Sequence, residues 1–389
     1  MSDPIVIAAA RRTPIGSFQG QFAKVQAPQL GGAAIQAALA DSRLQAEDVS
    51  EVIFGCVLPA GLGQAPARQA ALAAGLPIST GCTTINKVCG SGLKAIMQGY
   101  DGILAGSSKV VIAGGMESMT NAPYLAKRGL RMGHDQLLDH MFIDGLQSPF
   151  DGQMMGHFGE MCASKFSFTR EAQDAFARSS VERAMQALES DRFADELAPV
   201  TVKSRRGDTI IDTDEEPPRC DLAKMPDLRP AFAKDGTITA ASASKISDGA
   251  AACVLLSEQD ATERGLSPLA SIVAHATHSQ EPEWFTTAPV EAIRQVMDKA
   301  GWTKDEVDLF EINEAFAAVT MAAMHELDLD HAKVNVNGGA CALGHPIGAS
   351  GARILVTLIH ALKARHLKRG IAALCLGGGE AVAAAVQIY

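Results

Sequence analysis

The chain has 389 residues, of which 47% are hydrophobic, 20% charged and 5% aromatic, with 36 glycines. That length exceeds the roughly 250–300 residues at which a single hydrophobic core stops growing, so at least two packed units are expected, and the composition excludes a disordered chain. With 34 Lys and Arg against 44 Asp and Glu, the net charge of -10 argues against a nucleic-acid partner.

From the N-terminus, Asp3 puts an acid where a signal peptide is basic, and the strand-like apolar run 5–10 stops at Arg11-Arg12, too early for an export signal. A helix-like stretch through Ala34-Ile35 ends near Leu44 and is followed by Glu47-Asp48-Val49 and a strand over 52–56. Helical apolar spacing returns at Leu93, Ile96, Met97, Tyr100, Ile103 and Leu104, then a β-rich run from Lys109 ends in Gly114-Gly115. Residues 119–247 break the pattern with charge runs, Pro217-Pro218, Met pairs and an amphipathic segment over 169–188, whose Thr169-Arg170-Glu171-Ala172 reads as a helix start. They are expected to form a lobe over one end of the core.

A strand over 251–256 leads into a second copy of the first pattern. Ala292-Ile293 matches Ala34-Ile35, Asp305-Glu306-Val307 matches Glu47-Asp48-Val49, and Phe310-Glu311-Ile312 matches Val52-Ile53-Phe54. The loop Gly348-Ala349-Ser350-Gly351-Ala352 matches the loop around Cys89, and the run from Ile371 ends in Gly377-Gly378-Gly379 as its counterpart ends in Gly114-Gly115. This is an internal duplication of an α/β unit with strands buried on both faces. The expected division is 1–118 plus 248–268 as one half, 119–247 as a loop domain, and 269–389 as the other half.

Eight cysteines (Cys56, Cys82, Cys89, Cys162, Cys220, Cys253, Cys341, Cys375) are dispersed without a CxxC pair, which points to reduced thiols in a cytoplasmic protein. No stretch approaches the ~20 apolar residues that span a bilayer. Three glycine-lined segments could carry chemistry. In Asn86-Lys87-Val88-Cys89-Gly90-Ser91-Gly92 a cysteine precedes a helix, where the dipole favours thiolate, although a structural cysteine in a turn fits the same spacing. His345 lies among glycines, restrained by Pro346, and its loop is the pseudo-symmetric counterpart of the Cys89 loop. A turn residue is the plainer alternative, but the duplication makes a Cys–His pair geometrically reasonable. Cys375 ends a strand before Gly377-Gly378-Gly379, as suits either a core cysteine or a thiol acid/base beside an anion-binding nest. Two thiols and an imidazole suggest acyl transfer more than redox chemistry.

These segments, with Arg12-Thr13-Pro14-Ile15-Gly16, Gly114-Gly115-Met116-Glu117-Ser118-Met119 and Asn313-Glu314-Ala315-Phe316-Ala317, resemble the thiolase family nearly end to end. The resemblance implies duplicated βαβαβαββ halves in a five-layered α-β-α-β-α core, an inserted loop domain for CoA binding and oligomer contacts, and a homotetramer built as a dimer of dimers. It implies coenzyme A esters as substrates, no permanently bound cofactor or metal, no membrane partner, and reversible Claisen condensation of two acetyl-CoA to acetoacetyl-CoA. By motif, Cys89 would be the acylated nucleophile, His345 its activator and an oxyanion donor, and Cys375 the acid/base at the substrate α-carbon. Asn313 would hold a water completing the hole with His345, and the N–H groups of Cys89 and Gly377 would form the second hole. Ser244 stands at the pantetheine-contacting serine and Arg219 at the nucleotide-binding arginine, while Met155, Phe232 and Phe316 could wall off the acyl end.

This chain departs from the family pattern at Met154, where a histidine is common, at Lys245, where a small residue is common, and at Glu380 after the three glycines. Glu380 should either bring a charge near the Cys375 thiol or turn outward. Competing readings are a 3-ketoacyl-CoA thiolase of β-oxidation with broader chain length, and a non-catalytic acyl-CoA or lipid-binding protein. A decarboxylating ketoacyl synthase is disfavoured by Asn313 and Cys375.

Overall fold

The computed structural model describes residues 3–129, 132–205 and 207–389. Strand β1 (Ile5–Arg12) is followed by α1 (Ala27–Ser42), β2 (Glu51–Gly55), α2 (Pro66–Ala73), β3 (Gly81–Ile85), α3 (Ser91–Leu104) and β4 (Val111–Ser118). After an excursion that includes α4 (Met155–Lys165) and α5 (Arg170–Glu189), the chain returns in β5 (Ser247–Ser257). The second half runs β6 (Ala270–Ser279), α6 (Ala288–Ala300), β7 (Leu309–Ile312), α7 (Ala317–Leu327), α8 (Ile347–Ala364), β8 (Arg369–Leu376) and β9 (Glu380–Ile388). The duplication is therefore physical: α1 and α6, β2 and β7, α3 and α8, and β4 and β8 correspond. Even the matched acidic triplets form equivalent 3-10 turns, Ala46–Asp48 and Lys304–Glu306, each closed by a capping box.

The strands join in one mixed sheet of order β7-β8-β9-β6-β1-β5-β4-β2-β3, with the short strand Gly16–Ser17 on β5. β2 pairs in parallel with β3 and β4, and β7 with β8; the remaining pairings, including the β1–β6 joint between the halves, are antiparallel. Five layers result. Leu30, Ala34 and Ile35 of α1 and Ala67 and Ala70 of α2 pack on Val52, Phe54 and Ile112 outside the first half. Leu93, Ile96 and Met97 of α3 meet Ile354, Leu355 and Leu358 of α8 in the middle, between inner faces of both halves. Ile293 and Val296 of α6 and Ala323 and Leu327 of α7 cover Phe310 and Ile371 outside the second half. Each large aliphatic side chain so buried contributes on the order of 1.5–3 kcal/mol.

The middle layer explains the small residues of the motifs. A Cβ on Gly92 of α3 would stand 2.8 Å from the Ala352 nitrogen, and one on Gly351 of α8 would stand 2.5 Å from the Leu93 nitrogen, so the two helix starts touch backbone to backbone. On the sheet side, a Cβ on Gly115 would fall 2.0 Å from the Gly348 carbonyl. α8 is the one helix among the described residues long and apolar enough to cross a membrane, and 89% of it is buried inside the protein as this central element.

The excursion between β4 and β5 is anchored by charge. Arg12, fully buried, donates from Nε to Glu196 (2.5 Å) and from Nη1 and Nη2 to both oxygens of Asp214 (2.7 and 2.8 Å). Removing one member would leave a buried charge uncompensated, at a cost of about 3–5 kcal/mol. Thr169 caps α5 by accepting from the Ala172 N–H, as its sequence suggests.

Candidate active site

The two central helix starts carry the two loops that the duplication pairs. Ahead of α3, Val88 is held at φ 45°, a left-handed conformation costly for a β-branched side chain. Ser91 stabilises that turn: its Oγ accepts from the Lys87 N–H (2.8 Å) and donates to the Val88 carbonyl (2.6 Å). The strain is local, and its effect is to present Cys89 at the top of the helix. There the Gly377 N–H and the Cys89 N–H point at its sulfur.

The expectation that the helix start makes Cys89 a thiolate is not met. Burial pushes the thiol up to about 11, outweighing the two N–H groups, and the Glu117 carboxylate pushes the same way. The nearby ammonium that could oppose this, Lys87, is bound to Glu380 at 2.5 Å. Cys89 is thus a thiol that needs a base.

His345 carries a free lone pair. Its Nδ1 lies 2.6 Å from Ser350 Oγ, and the Ser350 hydroxyl donates its one proton to the Pro346 carbonyl at 2.9 Å. Ser350 therefore accepts from Nδ1–H, which leaves Nε2 with a free lone pair. That Nε2 is buried and unpartnered. Burial, with the Arg353 guanidinium adding to it, pulls the imidazole down to about 3, so the ring is neutral. Ile347, two residues on, packs in one cluster with Cys89.

Cys375 ends β8 fully buried, and burial first, then the Cys89 sulfur, push its thiol well above the ordinary range. The two thiols therefore feel each other. β8 turns into β9 through Gly377, Gly378 and Gly379, the last two at φ 96° and 91°. Asn313 follows β7, is 1% exposed, and has both its amide oxygen and nitrogen without a partner. An orphaned buried amide is rare enough to mark a place where a water or substrate belongs.

Beside His345 lies an apolar cavity of about 200 Å³, lined also by Met154, Met155, Phe232, Ser244 and Phe316 among others. Larger clefts of about 490 and 410 Å³ lie elsewhere, lined by several charged residues and not by His345. Phe232 and Phe316 meet edge to face at 5.7 Å. Ser244 is positioned by its N–H to the Ala315 carbonyl (3.0 Å), and His345 by its N–H to the Lys245 carbonyl (2.9 Å). The Lys245 ammonium is turned back onto the Ala240 and Ala243 carbonyls (2.5 and 3.2 Å). Arg219 is not brought to the cavity: it is exposed and paired with Glu215 at 3.0 Å. No cluster able to hold a metal occurs among the described residues.

Three functional positions have no role assigned from the sequence. Glu117, fully buried, accepts from the N–H groups of Val57 (2.9 Å), Leu58 (3.1 Å) and Gly348 (2.9 Å), so it bolts the start of α8 onto the first half. The signal was present, a carboxylate inside an otherwise apolar strand run. Glu314 does the same on the other side, accepting from Ser180, Asn335 and the Cys341 N–H. Ser350, which fixes the His345 tautomer, could not be told from an ordinary helix serine.

Comparison with known proteins identifies the family. Residues 5–259 match the family model of the thiolase N-terminal domain and residues 266–388 that of the thiolase C-terminal domain. The chain is 50% identical over 384 residues to an acetyl-CoA acetyltransferase of Pseudomonas aeruginosa, covering 97% of this chain and 98% of that one. It is 50% identical over 390 residues to acetyl-CoA acetyltransferase 2 of Arabidopsis thaliana, covering 99% and 97%. Among solved structures, the acetyl-CoA acetyltransferase of Bacillus anthracis superposes with a TM-score of 0.97 at 42% identity, covering 100% of this chain and 99% of that one. A thiolase of Ascaris suum in complex with coenzyme A superposes at 0.94 with 44% identity, covering 99% and 100%.

Proposed function

Because this chain belongs to the thiolase family and is an acyltransferase, we propose that it is an acetyl-CoA acetyltransferase that joins two acetyl-CoA into acetoacetyl-CoA and CoA, and runs the reverse thiolysis. The observation that carries the residue roles is the buried, unpartnered Nε2 of His345, on a loop whose Ile347 packs with Cys89, while the Cys375 and Cys89 sulfurs lie close enough to interact. In the forward direction Nε2 takes the Cys89 proton as the sulfur attacks the acetyl-CoA carbonyl, and the tetrahedral oxyanion is held by the N–H groups of Cys89 and Gly377. The C–S bond to CoA breaks, and the departing CoA sulfur takes the Cys375 proton. The products of this half are acetyl-Cys89, free CoA, a Cys375 thiolate and a protonated His345.

The second half uses what the first leaves behind. The Cys375 thiolate removes a proton from the α-carbon of a second acetyl-CoA, and its enolate oxygen is met by His345 Nε2–H and a water on Asn313. That carbon bonds to the acetyl carbonyl, the bond to Cys89 sulfur breaks, and Cys89 recovers its proton from His345. Both thiols and the imidazole return to their starting states. The imidazolium is disfavoured in this dry site, so it persists only while an anion faces it.

Ser244 holds the pantetheine arm and Arg219 reaches the nucleotide end from the rim, while Met155, Phe232 and Phe316 close the acyl end. Coenzyme A is substrate, not resident cofactor. The loop domain over 119–247 provides the CoA-binding wall and the contacts of a homotetramer, and the free state of all eight cysteines supports a reducing, cytoplasmic setting. The test is to mix the protein with acetoacetyl-CoA and CoA and follow the enolate absorbance, then identify the acetylated residue by mass spectrometry after acetyl-CoA alone. Loss of absorbance with acetyl on Cys89 is expected. No turnover sinks the enzyme reading, and acetyl on Cys375 alone reverses the two roles.

A further inference from the structure

The N–H of Gly377 is asked to point at the Cys89 sulfur, yet it belongs to a turn of three glycines in the opposite half. A Cβ placed on Gly378 would touch nothing within 4 Å, so the tip has no side-chain support there. From its own half the turn is held by Gln280 N–H to the Gly379 carbonyl (2.8 Å) and by Ser279 Oγ to Glu380 Oε1 (2.9 Å). From the other half, besides the Cys89 sulfur that the Gly377 N–H faces, one polar side-chain bond reaches it among the described residues: Lys87 Nζ to Glu380 Oε2 at 2.5 Å. Lys87 is two residues before the nucleophile, and Glu380 is three after the oxyanion donor.

We infer that the Lys87–Glu380 pair is a positioning clamp that sets the distance between the Cys89 loop and the Gly377 N–H. The side chains are 23% and 32% exposed, so the pair contributes little to stability. Its effect is geometric: misplacement of a reacting group by about 1 Å can cost on the order of 10²-fold in rate. Glu380 acts through Gly377, and neither charge touches substrate. This inference rests on the acetyltransferase reading of the site.

The experiment is a double-mutant cycle in thiolysis of acetoacetyl-CoA, with kcat and KM measured for wild type, Lys87→Gln, Glu380→Gln, both together, and the charge-swapped Lys87→Glu/Glu380→Lys. Each neutral single variant is expected to lose roughly tenfold in kcat with KM within about twofold, since an oxyanion donor is displaced and not removed. The neutral double variant should lose no more than either single, because the pair is one interaction. The swapped pair should regain most of the loss. Wild-type kcat in the singles, additive losses in the double, or a change confined to KM overturns the clamp. Melting temperatures accompany each variant, and if a neutral variant unfolds below the assay temperature the swapped pair decides: a folded swap with less than about a tenth of wild-type kcat overturns the inference. An inactive wild type would instead overturn the function reading itself.

Discussion

Ser350→Ala tests the proton inventory of the site with the removal of a single oxygen. The hydroxyl accepts the Nδ1 proton of His345 at 2.6 Å, in a position with no exposed surface. Without it, a neutral ring has two options. It keeps the proton on Nδ1 with no acceptor, at about 1–3 kcal/mol for an unpaired buried donor, or it moves the proton to Nε2 and loses the lone pair that must receive the Cys89 proton. Either route raises the acylation barrier by a similar amount, which corresponds to roughly 5- to 150-fold in rate. The fold loses no more than about 1–3 kcal/mol, a shift of a few degrees at most in a chain of this size: Ala is favourable in a helix, and the Pro346 carbonyl keeps the backbone N–H of residue 350 at 2.9 Å. The assay is the single-turnover rate of acetyl transfer from acetyl-CoA to Cys89, read by mass spectrometry, beside the steady-state KM and the melting temperature. The expected result is a slower transfer with KM nearly unchanged and the melting temperature lowered by a few degrees at most. A transfer rate within twofold of wild type would refute the assignment of the free lone pair to Nε2.

Cys375→Ala should lose condensation by about 10²–10⁴-fold, the usual contribution of a general acid/base, and lose acetyl exchange between CoA molecules less; equal losses would contradict the division between the thiols. Acetoacetyl-CoA should be turned over better than esters of eight or more carbons, because Phe316 and Phe232 close a cavity of about 200 Å³; equal or better kcat/KM on an eight-carbon ester would favour a broader 3-ketoacyl-CoA thiolase. Burial raises the Glu117 carboxyl from 4.5 to about 7. A folded-state value above the unfolded one means that the folded form holds the proton longer. Wild type should therefore lose stability relative to Glu117→Gln as pH rises from about 4.5 through 7, and a difference that stays flat in urea titrations across that window would refute the shift.

The architecture was legible because duplication is a comparison a chain makes with itself. Ala34-Ile35 against Ala292-Ile293 and the two glycine-ended strands fall on corresponding elements, and the reading needed no side-chain detail. The candidate set drew notice for a related reason: thiols and an imidazole beside glycines have few structural uses in common. The electrostatics were not. A helix start favours a thiolate in water, but at Cys89 the loss of water outweighs two N–H groups, and depth of burial is a tertiary property. Lys87 read equally well as a source of positive field or as a solvated side chain, and Glu380 as a charge near the thiol or turned outward. Each is instead the other's partner across the halves, about 293 positions apart in the chain. Arg219, carried by motif alone, is exposed, paired with Glu215, and not among the residues that line the cavity.

The close approach of Gly92 to Ala352, mirrored by that of Gly351 to Leu93, means that α3 and α8 meet as near-equivalents about a pseudo-twofold axis. An axis of that kind gives every position at the seam a twin, and a symmetric pair of loops could offer only two copies of one chemical group. Here the twins have diverged. In the register that pairs Gly92 with Gly351, Cys89 stands opposite Gly348 and His345 opposite Asn86, so the seam holds a thiol on one loop and an imidazole on the other where exact symmetry would have repeated each loop. A single half, expressed alone, would lack its complement, and pairing it with a second identical half would restore the fold's outline without the chemistry. Fusion of the two copies into one chain is what lets the loops differ, and the reacting pair exists only in that difference.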